Sequence, residues 1–450
     1  MTTRRSSAVL NSLGVITLVL AAGAASYQVS GAPAGAEPAV SPPPHGAKFR
    51  PYENWRKSMS RTAVPEPGPG CHQAEYPSSE WKSVPCTVAP LIPHGPRSAA
   101  VIGANIVGNG TDYSAQLQGG GTIGFSEGSF GTSAIISEND NGAANVYTLQ
   151  LNTNRFATSA CSGVSGCIGW QQYIFDNNPA HGTAYLYIQY WLLNHPSNCP
   201  SGYTYSAVPG LAAGCYMNSA AVSVPLQPIQ NLSALALTGT AVPGAFDQAR
   251  LGTGTTLYSL QGVDSVLGAG NGWTSAEFNV FGEYNGTQAT FGSGTLLSIE
   301  TLVTTGASTT APTVIVSGTT AETNNLTLAP LYCPVADPNG PYVWFQESFG
   351  ATPASSCPVT PISLPAPTVT TTGPTGTDEL ERFTFTWPSV PGATYYTLSK
   401  SGAIQTITGN SSFVTLGCQR SVVVTISSCN AAGCGFPETI LNARNSTPCI

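Results

Sequence analysis

Between residues 98 and 350 the chain runs in segments of five to twelve residues that alternate apolar and polar side chains, separated by Gly, Asn, Ser and Pro. These segments fall at 144–151, 170–175, 183–193, 221–226, 234–237, 275–284, 295–303 and 313–317, and none of the intervening sequence carries a helical period with caps. Successive side chains of a strand point to opposite faces, so such a strand hides its apolar face only by pairing into a sheet that stacks on another. Many short antiparallel strands over roughly 250 residues predict an all-β domain, a large sandwich or barrel. Runs of ten residues favour broad curved sheets over a small immunoglobulin-type unit.

Composition narrows what such a domain can do. Only 8% of the 450 residues are charged and 41% are hydrophobic, which excludes disorder driven by charge. The net charge of −7 leaves no basic stripe for nucleic acid. Arg4 and Arg5 precede an apolar stretch at 9–22 and the small residues Ala22-Gly23-Ala24, which predicts a secretory signal peptide over 1–24. No later run approaches the ~18 apolar residues of a membrane helix, so no membrane contact is expected beyond that segment. All 12 cysteines follow it, and an even count in an exported, extracellular chain predicts disulfides. The local pairs are Cys71 with Cys86, Cys161 with Cys167, Cys199 with Cys215, and Cys333 with Cys357; pairing among the last four stays open. There is no CxxC pair and the five His residues lie at no ligand spacing, so neither a metal nor a cofactor is expected.

Residues 25–97 form a Pro-rich basic leader, expected to be largely extended linker over 27–70. Seven of the 15 basic residues lie in 48–97, whereas 98–360 holds two basic residues, Arg155 and Arg250, against 13 acids. The two segments should attract, either as a pro-segment over an acidic cleft or as a cationic tether. The β-sandwich domain is expected over 98–350, a Pro- and Thr-rich linker over 351–376, and a second β unit over 377–450.

Strand parity places Leu186, Ile188, Tyr190 and Leu192 on one face of 183–193, as core, and Tyr185, Tyr187, Gln189 and Trp191 on the other. In 275–284, Ala276, Phe278, Val280 and Tyr284 are the core face, opposite Ser275, Glu277, Asn279, Phe281 and Glu283; Trp170, Gln172 and Ile174 share a face of their own strand. A curved sheet gathers the aromatic and amide residues into a trough suited to a peptide or a polysaccharide, unless a second layer covers it. There is no G-x-S-x-G elbow, and His181 and His195 flank a single strand, so a nucleophilic triad is poorly supported. A carboxylate with an amide fits better, since Glu can shuttle a proton and Gln can orient water or an oxyanion. The alternative for Glu277 is an exposed strand glutamate.

Ser275-Ala276-Glu277-Phe278 resembles the segment around the catalytic Glu of the glutamic peptidases (eqolisins). Gln171/Gln172 followed by Tyr187-Ile188-Gln189-Tyr190-Trp191 resembles that family's Gln strand and aromatic strand. Gly169-Trp170, Tyr190-Trp191 and Gly214-Cys215-Tyr216 are similar to the related neprosin domain. The resemblance spans residues 160–300 and implies a concanavalin-like β-sandwich with a removable leader. It also implies Glu277 as general base and acid, Gln172 (or Gln171) as oxyanion donor, and Gln189 and Tyr187 as groove supports, acting on peptides at acid pH; Trp191, Gln171 and Asn279 are further substrate-binding candidates of the trough. The chain departs from both families in carrying Gln189 where the aromatic strand has Glu, and in having no Glu near Cys167, where the first neprosin Glu would fall, so no two-Glu site is expected. In the tail, Phe383, Phe385 and Trp387 alternate ahead of Gly392-Ala393-Thr394-Tyr395-Tyr396, which resembles a small fibronectin type III sandwich, a spacer or adhesive unit. A non-catalytic extracellular protein binding carbohydrate or a surface is the alternative function.

Overall fold

The computed structural model describes residues 50–445 except 65–67, 97–111, 132, 285, 306–309, 317, 319, 338–339, 359–363, 365–366, 378–379, 401–402, 419–420, 431–432 and 435–437. The signal peptide expected over 1–24 lies outside the described residues. The chain is all-β, with two large antiparallel sheets stacked as a sandwich. One has nine described strands in the order Lys82–Val84, Gly70–Glu75, Thr256–Val263, Phe246–Thr253, Leu235–Ala241, Phe125–Phe130, Thr295–Thr304, Tyr342–Phe349 and Thr327–Val335. The other runs Thr204–Ser206, Gly214–Asn218, Ala184–Leu193, Ile168–Asn177, Tyr147–Thr153, Ser275–Phe281, Tyr113–Gln116 and Thr313–Val316, with Ala220–Val224 also pairing to Ala184–Leu193 and carrying Thr87–Val88.

The core lies between these sheets and is built from the faces that parity assigns to it. Leu186, Ile188, Tyr190, Leu192, Ala276, Phe278 and Val280 are all buried there. Tyr284 departs from that expectation. The strand stops at Phe281, the chain turns with Thr287 N–H donating to the Tyr284 carbonyl at 2.6 Å, and Tyr284 stays 39% exposed. Two glycines of the nine-stranded sheet let aromatics of the other sheet come close: a Cβ on Gly128 would overlap the Phe278 ring, and one on Gly239 would stand 2.5 Å from Tyr173. Gly128→Val is expected to lower stability by about 1–3 kcal/mol or more through overpacking, checked by chemical denaturation. Unchanged stability would show that Phe278 is free to move aside.

Four disulfides join the expected pairs: Cys71–Cys86, Cys161–Cys167, Cys199–Cys215 and Cys333–Cys357. Cys71 lies in the nine-stranded sheet and Cys86 adjoins Thr87–Val88 of the other, so this bridge fixes the leader's passage between them. No helix of the described residues is long and apolar enough to cross a membrane.

The leader differs from an extended linker. Arg50–Met59 is an α-helix, with Pro51 in the first turn, where its missing N–H costs nothing. Tyr52, Arg56 and Met59 fall on one helical face and are buried. Arg56, with no exposed surface, donates to both oxygens of Glu127 at 2.7 and 2.8 Å. Arg250 answers from the sandwich: its guanidinium donates to the carbonyls of Met59, Ser60 and Thr62, capping the helix end, and lies 5.0 Å from the Trp81 ring. Arg56 with Glu127 is an ion pair between basic leader and acidic domain, on the nine-stranded sheet. Residues 370–444 form separate three- and five-stranded sheets around Phe383, Phe385, Trp387, Tyr396 and Leu398.

Candidate functional site

Register converts parity into geometry. Glu277, Asn152, Gln172, Gln189 and Asn218 stand directly opposite one another across five adjacent strands, a polar row on the outer face of the ten-stranded sheet. One step along lie Asn279, Gln150, Ile174 and Tyr187; on the other side lie Trp170, Trp191 and Tyr216. Gln171 points the other way. Its amide donates to the Tyr173 hydroxyl at 3.0 Å and to Asp247 at 2.9 Å, within the space between the sheets, so it does not reach the trough.

Glu277 and Gln172 are joined through the strand that lies between theirs, Tyr147–Thr153. Asn152 donates to Glu277 Oε2 at 3.3 Å, and Gln172 donates to Asn152 Oδ1 at 3.1 Å and to Gln150 Oε1 at 2.9 Å. Both N–H groups of Gln172 are therefore engaged, while its buried Oε1 has no partner. Gln172 offers an acceptor in this arrangement, not the oxyanion donor that the resemblance implies. The missing signal was available: Thr148, Gln150 and Asn152 alternate with Tyr147, Leu149 and Leu151 along Tyr147–Thr153.

Further acids arrive from distant parts of the chain. Asn279 donates to Asp112 Oδ2 at 3.0 Å and to Glu347 Oε1 at 2.6 Å, and Asn324 donates to Glu347 Oε2 at 3.1 Å. Burial pushes the Glu347 carboxyl up to about 8 against the pull of these two amides, with the Glu277 charge adding to the rise. Burial, then the charges of Glu347 and Glu277, hold Asp112 well above the ordinary carboxyl range. Like charges this close in a dry site cannot all ionise, so protons are retained here at neutral pH. Glu277 is 2% exposed, which excludes a solvated strand glutamate.

The trough is not open. Residues 90–94 of the leader lie over it, held by their backbone. Asn218 donates to the Pro90 carbonyl at 2.7 Å, Tyr216 hydroxyl to the Leu91 carbonyl at 3.4 Å, and Gln189 Nε2 to the Ile92 carbonyl at 2.8 Å. Gln189 Oε1 accepts the His94 backbone N–H at 2.7 Å and the Trp191 indole at 2.8 Å. A glutamate at this position could accept those two bonds but could not donate to Ile92, which gives a physical reason for Gln189. His94, from the Pro-rich leader, drives its ring between the Tyr187 hydroxyl at 3.0 Å and Glu322 at 3.3 Å. Tyr187, Gln189 and Trp191 consequently have no exposed surface.

Fold and site together define a disulfide-braced β-sandwich whose sheet face grips an extended stretch of its own leader. No family model and no curated protein matches the chain. The disulfides fit an extracellular protein.

Proposed function

We propose that the trough is the peptide cleft of an acid hydrolase of glutamic-peptidase type, held latent by the leader. The observation that carries this reading is the grip on residues 90–94. Side chains of the trough bond three carbonyls and one N–H of an extended Pro-containing segment, as a cleft for peptide substrates would. Glu277 takes a proton from water as the water oxygen attacks the scissile carbonyl. It then returns that proton to the departing amine as the C–N bond breaks. Asn152 and the free acceptor of Gln172 orient the water, and Asp112 and Glu347 keep neighbouring protons available in acid.

Leader geometry supports latency. Its strands Lys82–Val84 and Gly70–Glu75 form one edge of the nine-stranded sheet, and Cys71–Cys86 closes within the leader itself. None of the four described bridges ties the leader to later residues. The tail, with its three- and five-stranded pairing, is read as a fibronectin type III-like spacer.

The test is cleavage of a denatured protein at about pH 3–4 by the full chain and by a chain freed of residues before about 98, together with binding of a peptide of sequence 88–96 to the freed chain. Hydrolysis lost in Glu277→Gln, with peptide binding kept, is the expected result. Peptide binding without cleavage across the acid range would leave a binding cleft and remove the hydrolase. Absence of both, in a freed chain that is folded, removes the peptide reading altogether. A glycan array on the same samples tests the carbohydrate-binding alternative, whose ring faces are covered in the full chain.

A further inference from the structure

At the far end of the trough face, Asp176 ends the line Trp170, Gln172, Ile174 and stands opposite Thr148 and Tyr185. It is fully buried, and no N–H or hydroxyl donates to either carboxylate oxygen; the group within bonding reach is the carboxyl of Glu283. One oxygen of Asp176, one of Glu283 and one ring nitrogen of His181 lie within 4.8 Å of one another. Glu283 is also fully buried, whereas His181 is exposed, so the cluster opens to solvent on the imidazole side.

Asn178 builds this arrangement. Its Oδ1 accepts the Ala180 N–H at 2.9 Å and so caps the turn Pro179–His181 that presents the imidazole. Its Nδ2 meets both oxygens of Glu283, at 2.8 and 2.7 Å. A ligand-bearing turn and a ligating carboxylate held by one amide is how outer-shell residues orient a metal site. No cationic side chain among the described contacts neutralises the pair, and Arg250 is committed to the leader on the other sheet. Two adjacent buried carboxyls need either a shared proton or a cation.

We propose that Asp176, Glu283 and His181 form a binding site for a divalent transition-metal cation of the zinc or manganese class. Two carboxylate oxygens alone suit calcium or magnesium equally well. The imidazole shifts the preference towards metals that accept nitrogen, with positions left for water on the open side. The proposal does not depend on the hydrolase reading.

The test titrates chelator-treated full chain near neutral pH with Zn2+, Mn2+ and Ca2+ by calorimetry, and with Co2+ by visible absorption. Expected are one equivalent of Zn2+ or Mn2+ bound, a Co2+ spectrum with a nitrogen ligand, and a thermal midpoint raised by several degrees. His181→Ala, which alters only an exposed side chain, weakens Zn2+ binding at least tenfold; Asp176→Asn abolishes it where that variant folds. The proposal is overturned by no saturable binding at one equivalent, by binding that His181→Ala leaves unchanged, or by Ca2+ binding tighter than Zn2+. A metal-indifferent protein would assign the pair a shared proton instead.

Discussion

Moving the full chain from about pH 8 to about pH 5 raises its thermal midpoint by on the order of 10 °C. The cause is a set of buried carboxyls whose protons are held more tightly folded than unfolded. Burial pushes Glu347 up to about 8, and burial with the Asp140 charge pushes Glu138 up to about 9. Asp112 and Asp247 are raised in the same direction, again chiefly by burial. A carboxyl raised in the fold contributes stability that is fully present below its unfolded value, near 4, and is lost as pH climbs through its folded value. Each contributes about 1.4 kcal/mol per pH unit across that window. Glu127 acts with the opposite sign. Burial would raise it, but Arg56 beside it brings it below the ordinary value, so its contribution is lost only as the solution becomes strongly acid. Stability should therefore peak in the mildly acid range. Calorimetric scans across pH check this, and Glu347→Gln should flatten the slope. A midpoint that falls on acidification from pH 8, or a Glu347→Gln profile as steep as the parent, would refute the account.

Arg56→Ala is expected to cost about 3–5 kcal/mol at neutral pH, because it strands a buried Glu127 without its partner. The loss should appear as a lowered denaturation midpoint and as rapid proteolysis within Arg50–Met59. Adding Glu127→Gln removes the stranded charge, so the double variant should recover much of the loss, giving a coupling of about 2 kcal/mol or more. A loss under about 1 kcal/mol would mean that the leader helix is docked by its apolar contacts alone.

Much of the trough was legible because parity is a local property. Once Glu277, Gln172, Gln189 and Tyr187 lie on strands, the period of two assigns them a face without knowledge of the partner strands, and the structure places all four on the same outer face. The adjacent glutamines show the limit of that reasoning. Gln171 and Gln172 must point to opposite sides, and only the stacked second sheet decides that Gln171 meets Asp247 while Gln172 meets Asn152. The local disulfides were legible for the same reason as parity, since short spacings restrict which thiols can meet.

What the chain's own pattern determined is therefore the β architecture, the faces of its strands and its covalent braces, all set by side-chain period and short-range closure. What only the tertiary structure decided is which distant segments meet: Asp112 and Glu347 beside Asn279, Asn178 between Glu283 and the His181 turn, and His94 between Tyr187 and Glu322. Strand order and chain crossings arise from burial and pairing over separations of tens to hundreds of residues, and no local period encodes them.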